Sequence, residues 1–265
     1  MPIIDKYDLR ADKVNSLVCV GLDSDYEKLP ERFRRTESPQ LEFNKYIIEQ
    51  TSPYAAAYKP NIAFYEARGD RGIRELKMTA DYLRERHPDI FLICDAKRGD
   101  IGNTNRGYTD FIFDWLGFDA MTVSPYLGGE SLSPFLERAD KGIIVLCKTS
   151  NPGSGELQNL LTDGKPLWQI VAEKAKNEWN RNGNCMLVAG ATYPEEIAKI
   201  REVVGDMTLL VPGIGAQGGE IEPVVKAGIN SRKKGLIINS SRGIIFSENP
   251  KEETRKLQEA INKYR

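Results

Sequence analysis

The chain has 265 residues, 40% of them hydrophobic and 28% charged, with a formal net charge of −1. That composition suits one soluble globular unit with a large core, and the near-neutral balance gives no whole-protein field toward nucleic acid or a membrane surface. The opening Met1-Pro2-Ile3-Ile4-Asp5-Lys6-Tyr7-Asp8 lacks the apolar stretch of a secretory signal, and no apolar run approaches the length of a membrane span.

Short apolar runs recur at residues 17–22, 55–59, 90–95, 120–123, 142–147, 185–189, 207–211 and 235–239. They are continuous rather than alternating, which implies strands buried on both faces, as in a parallel sheet. Helical patterns lie between them. The connection 24–53 predicts a helix around residues 41–49. Ile73, Leu76, Ala80 and Leu83 keep a helical rhythm, which His87-Pro88 ends. Leu167, Ile170, Val171, Ala175 and Trp179 keep it again, within the long connection 148–184. Pro194 opens a helix that Gly205 closes, and a last helix begins near Pro250. Eight strand–helix units over residues 1–265 fit an α/β fold, a single-domain (β/α)8 TIM barrel; a doubly wound open sheet is the structural alternative.

Cys19, Cys94, Cys147 and Cys185 each lie in or beside an apolar run, and none forms a Cys-x-x-Cys pair. They read as buried thiols in a reducing, cytoplasmic setting. The one histidine, His87, argues against multi-histidine metal sites and against a histidine-based triad. Proton chemistry then falls to Lys, Asp or Glu.

The richest stretch is Cys94-Asp95-Ala96-Lys97-Arg98-Gly99-Asp100-Ile101-Gly102-Asn103-Thr104. Period 2 puts Asp95 and Lys97 on one face of the third strand. In a barrel, the C-terminal strand ends gather at one mouth, where Asp23, Lys59, Asp95, Lys97 and Asp100 would converge. Taken singly, each reads as half of a salt bridge. Together their strand-end placement favours a site in which alternating lysines and aspartates keep one another charged. Thr149-Ser150-Asn151-Pro152-Gly153-Ser154-Gly155, after the fifth strand, reads as a mobile loop, either over the site or as a surface insertion.

Two further turns carry a second signal. Val211-Pro212-Gly213-Ile214-Gly215-Ala216-Gln217-Gly218-Gly219-Glu220 follows the seventh strand, and Asn239-Ser240-Ser241-Arg242-Gly243 the eighth. Glycine-rich turns after these two barrel strands commonly hold phosphate through backbone N–H groups, and Arg242 could fork onto the anion.

These residues resemble the orotidine 5′-monophosphate decarboxylase family in its longer bacterial-type variant, from Val20-Gly21-Leu22-Asp23 to Ser241-Arg242-Gly243. The resemblance implies removal of CO2 from orotidine 5′-monophosphate to give uridine 5′-monophosphate in de novo pyrimidine biosynthesis, with no metal and no cofactor. It implies that Lys97 protonates C6 of the ring and that Asp95 sits near the departing carboxyl group. Lys59 would contact Asp95 and the ribose, and Asp23 would bind the ribose. Asp100 and Thr104 would serve the neighbouring subunit's site, making a homodimer. Gln217 and Arg242 would bind the phosphate, and Ser150 would read the pyrimidine amide.

Two other readings stand beside this one. Metal-dependent relatives, of the keto-gulonate phosphate decarboxylase or hexulose phosphate synthase kind, share Asp-x-Lys-x-x-Asp. They carry an acidic metal ligand where this chain has Lys59, whose ammonium would repel a divalent cation. A non-catalytic phosphate-binding barrel would not need Asp95, Lys97 and Asp100 together.

Overall fold

The computed structural model describes residues 1–214 and 220–265. All eight apolar runs become strands of one closed parallel barrel. In chain order they are β1 (Val18–Val20), β2 (Ala57–Tyr58), β3 (Phe91–Arg98), β4 (Ala120–Val123), β5 (Gly142–Lys148), β6 (Cys185–Ala189), β7 (Leu209–Pro212) and β8 (Leu236–Ser240). Each pairs with its sequence neighbours, and β1 closes the ring by pairing with β8 in the register Val18↔Ile238. Closure excludes the open doubly wound sheet. It also explains the unbroken apolar runs, since the strands face a packed interior on one side and helices on the other.

The helices fall where the periodicity placed them. Pro39–Thr51 and Gly69–Arg86 flank β2, and Pro194–Val204 and Pro250–Asn262 each begin on their proline. His87 caps the second of these, its N–H donating to Leu83 O. Two elements carried no strong pattern. The helix Ile3–Lys13 sends Tyr7 beneath the barrel, where its hydroxyl donates to Leu236 O at 2.6 Å. A two-stranded hairpin, Leu161–Thr162 with Lys165–Pro166, decorates the β5–β6 connection. All four cysteines are buried and free; burial pushes the thiols of Cys19 and Cys185 up to about 12, so they pack as small hydrophobes. Among the described residues no helix is long and apolar enough to cross a membrane.

Candidate active site

The parallel register decides which side chains meet at the mouth. Cys19 lies level with Ala57 on β2 and with Asn239 on β8. Inward positions then repeat every second residue up each strand, which brings Asp23, Lys59, Asp95, Thr122, Leu146, Val188, Leu210, Pro212 and Asn239 into one cavity of about 520 Å³. The β1–β4 side of this ring is charged and hydroxylated. The β5–β7 side is aliphatic. A concave cavity of this size, with polar groups converging opposite an apolar wall, suits a small polar ligand.

The charges form a chain. Lys59, only 3% exposed, donates to Asp95 Oδ2 at 2.9 Å, and Lys97 donates to Asp95 Oδ1 at 2.6 Å. Burial by itself would raise the Asp95 carboxyl, but the Lys59 and Lys97 ammoniums outweigh it and hold it well below the usual carboxylate range. Burial would likewise lower Lys59, yet Asp95 and Asp23 drive it well above its ordinary value. Both groups are therefore ionised at neutral pH. Lys97 is different in kind: its side chain is 48% exposed and stands at the open side of the cavity.

Asp95 and Lys97 share a face, but not through regular alternation. Cys94 pairs with Met121 and Arg98 with Val123, so three residues of β3 oppose one of β4. Lys97 takes a φ of +48° inside this bulge, a left-handed conformation that non-glycine residues rarely adopt. Bulges of this kind re-aim side chains beside active sites. The Asp95 backbone is fixed from the other side, its N–H donating to Pro60 O at 3.0 Å.

The segment after β5 carries local structure and side-chain hydrogen bonds at its base. Pro152–Ser154 forms a 3-10 turn and Gly155–Gln158 a short helix. Gln158 grips Thr149 twice, accepting from its N–H and donating to its hydroxyl, both at 2.9 Å. Below it, the buried Lys148 donates to Asn159 Oδ1 at 2.9 Å and lies over the Tyr193 ring. Thr149, Ser150, Asn151 and Gln158 consequently line the cavity. Gly190 is required here, because a Cβ on it would stand 2.7 Å from the Ser150 backbone nitrogen.

Across the mouth, Ser240, Ser241 and the exposed Arg242 complete the rim with Gly213 and Ile214. Gly21 lets this rim close down, since a Cβ there would meet Ser241 Cβ at 2.7 Å. Gln217 lies outside the described residues.

Of the expected site residues, the structure gathers Asp23, Lys59, Asp95, Lys97, Ser150 and Arg242 in one cavity. Asp100 and Thr104 are not on its wall. Asp100 sits in a turn pinned by Asn105, which accepts from its N–H at 2.9 Å, and its own carboxylate accepts from Ile101 N–H. Thr104 is exposed on the following helix, Gly102–Thr109. Within one chain the ionic array thus ends at Lys97. His87 stands away from the site, beside Glu49.

Sequence reasoning missed Thr122 and Gln158 as parts of the site. Thr122 reads as an ordinary member of an apolar strand run, and only a three-dimensional register turns it inward at the mouth.

Comparison with known proteins agrees with this geometry. The family model described as "Orotidine 5'-phosphate decarboxylase / HUMPS family" matches residues 16–257. The chain belongs to this family. An orotidine 5'-phosphate decarboxylase of Cupriavidus metallidurans is 46% identical over 258 residues, covering 95% of this chain and 94% of that protein. One from Christiangramia forsetii is 49% identical over 235 residues, covering 89% and 86%. The solved OMP decarboxylase of Leishmania donovani superposes with a TM-score of 0.89 at 40% identity, covering 100% of this chain and 99% of that one. Family membership with these full-length decarboxylase relatives makes the chain an enzyme of the carboxy-lyase class.

Proposed function

We propose that this enzyme converts orotidine 5′-monophosphate to uridine 5′-monophosphate and CO2 without metal or cofactor, with Lys97 as the proton donor. The single observation that carries the reading is the Lys59–Asp95–Lys97 chain, 2.9 Å and 2.6 Å between partners, at the mouth of a cavity with one aliphatic wall.

The chemistry follows from those charges. When the bond from C6 to the carboxyl carbon breaks, CO2 leaves and the electron pair stays on C6. A fixed ammonium nearby stabilises that negative charge as it grows and then supplies the proton, so one group serves both steps. Lys97 can do this because its side chain is half-exposed and its ammonium is directed by Asp95 at 2.6 Å. It ends the turnover as a neutral amine, which water reprotonates. Lys59 is buried, paired with Asp95 and within the field of Asp23, so its role is to keep Asp95 ionised and to meet a ribose hydroxyl together with Asp23. An ammonium at this position disfavours a divalent cation, which supports the metal-free reading over a metal-dependent one.

Arg242 lies across the mouth from the ionic array, placed to take the 5′-phosphate, with Gln217 as its expected companion. Binding energy gathered there is remote from C6 and can be spent on closure and water exclusion. Ser150, on the loop after β5, would read the pyrimidine amide.

Two copies would share their sites. Asp100 and Thr104 do not line their own cavity, and Ile101, Tyr126 and Leu127, which follow β3 and β4, are 59%, 80% and 49% exposed. Apolar side chains grouped around the β3 and β4 ends suit burial against a second copy. Four buried free thiols suit a cytoplasmic setting.

The test is to add orotidine 5′-monophosphate to the purified protein in chelator and follow ultraviolet absorbance. Conversion to uridine 5′-monophosphate is expected; an unchanged spectrum with folded protein would overturn the assignment.

A further inference from the structure

We propose that Thr122 is a positioning residue for this reaction: its hydroxyl sets the aim of both Lys97 and Asp95, so that losing it slows chemistry rather than binding. The inference rests on the decarboxylase reading above and concerns a residue which that reading does not use.

Asp95, Ala96 and Lys97 on β3 face Thr122 alone on β4, between the pairs Cys94↔Met121 and Arg98↔Val123. Two surplus residues break the ladder, and their backbone groups need partners from elsewhere. The Lys97 N–H finds one in a side chain, donating to Thr122 Oγ1 at 2.9 Å. The same hydroxyl donates to Asp95 Oδ1 at 2.9 Å. That carboxylate oxygen is the one that receives Lys97 Nζ at 2.6 Å.

The result is a closed circuit through one residue. Thr122 holds the backbone of Lys97 in its left-handed conformation, φ +48°, and holds the carboxylate that directs the Lys97 ammonium. A hydroxyl is the group that can accept and donate at once. Thr122 is 1% exposed, so both of its hydrogen bonds are shielded from bulk water. Neither a lysine nor an aspartate at this strand position would close the circuit, and an aliphatic side chain would leave the Lys97 N–H and one acceptor site of Asp95 unserved.

The wild type, Thr122→Val and Thr122→Ser are compared for kcat and KM with orotidine 5′-monophosphate, for uridine 5′-monophosphate affinity, and for thermal stability. Valine keeps the shape and loses both hydrogen bonds; serine keeps both and loses a methyl. The expected result for Thr122→Val is a fall in kcat of roughly 10- to 100-fold, the scale of a hydrogen bond to a charged group. KM and product affinity should stay within about threefold of wild type, and Thr122→Ser should recover kcat to within about threefold. Should Thr122→Val not fold, Thr122→Ala makes the same test. A folded hydroxyl-free variant with wild-type kcat would overturn the assignment, as would a Thr122→Ser enzyme as slow as Thr122→Val, or a loss residing in KM. A wild type inert toward orotidine 5′-monophosphate would overturn the decarboxylase reading itself, and the two failures are thereby distinct.

Discussion

Lys97 Nζ meets Asp95 Oδ1 at 2.6 Å because β3 bulges between them, with Lys97 at a φ of +48°. The contact ties an exposed ammonium to a carboxylate that is itself anchored to the buried Lys59 at 2.9 Å. One end of the array is thus rigid and desolvated, and the other is free to reach a ligand.

Asp95 should couple stability to pH in a definite direction. Its carboxyl is held below the ordinary range in the folded state, against about 3.9 when unfolded. The contribution is therefore complete above roughly pH 5 and is lost as pH falls below about 4 toward the folded value. Lys59 is raised, and stays charged throughout that window. Asp95→Asn should cost about 3–5 kcal/mol at pH 7, as for breaking a buried pair, and the gap to wild type should shrink on acidification. Denaturant unfolding at pH 7 and pH 3.5 reads this out; an equal gap at both would contradict it.

Arg242→Ala should weaken phosphorylated ligands far more than nucleosides. Loss of one charge-assisted contact that is desolvated on closure costs on the order of 2–5 kcal/mol. Calorimetry with uridine 5′-monophosphate and with uridine separates the two. An equal loss for both would remove Arg242 from the phosphate site.

Exhaustive chelation should leave turnover unchanged. The Lys59 ammonium occupies the heart of the array, and among the described residues no three His, Cys, Asp or Glu side chains cluster as metal ligands. Activity lost in chelator and restored by magnesium would favour the metal-dependent reading.

Mixed subunits test the shared site. Lys97→Ala and Asp100→Ala should each be inactive alone. In a heterodimer one site carries both defects and the other carries neither, so mixing under subunit exchange should restore part of the activity. Demonstrated exchange with no recovery would place each site within one chain.

Much of this architecture was legible in the chain. The eight apolar runs all became barrel strands because burial on both faces leaves no polar alternation, and Pro194, Gly205 and Pro250 marked helix ends by backbone chemistry alone. The charged residues on strand ends were legible only together: each alone reads as half of a salt bridge, and their shared placement at the ends of apolar runs marks the cavity. Thr122 was not legible, since a threonine inside Ala120–Val123 looks like any β-branched strand residue. The bulge was not legible either, because period 2 alone already put Asp95 and Lys97 together. The Thr149–Gly155 segment was legible as a loop from its composition; the hydrogen bonds of Gln158 and Lys148 at its base were not, because composition does not encode side-chain contacts. Asp100 and Thr104 look like site residues in sequence, yet a single chain leaves them outside its cavity.

The most direct measurement is product formation by Lys97→Ala beside the wild type, with folding checked by circular dichroism and uridine 5′-monophosphate binding. The wild type should convert orotidine 5′-monophosphate in chelator, and the folded Lys97→Ala enzyme should bind product yet form none detectably. Near-wild-type turnover by folded Lys97→Ala would contradict it, since no other ammonium on the cavity wall has the exposure to deliver a proton to C6.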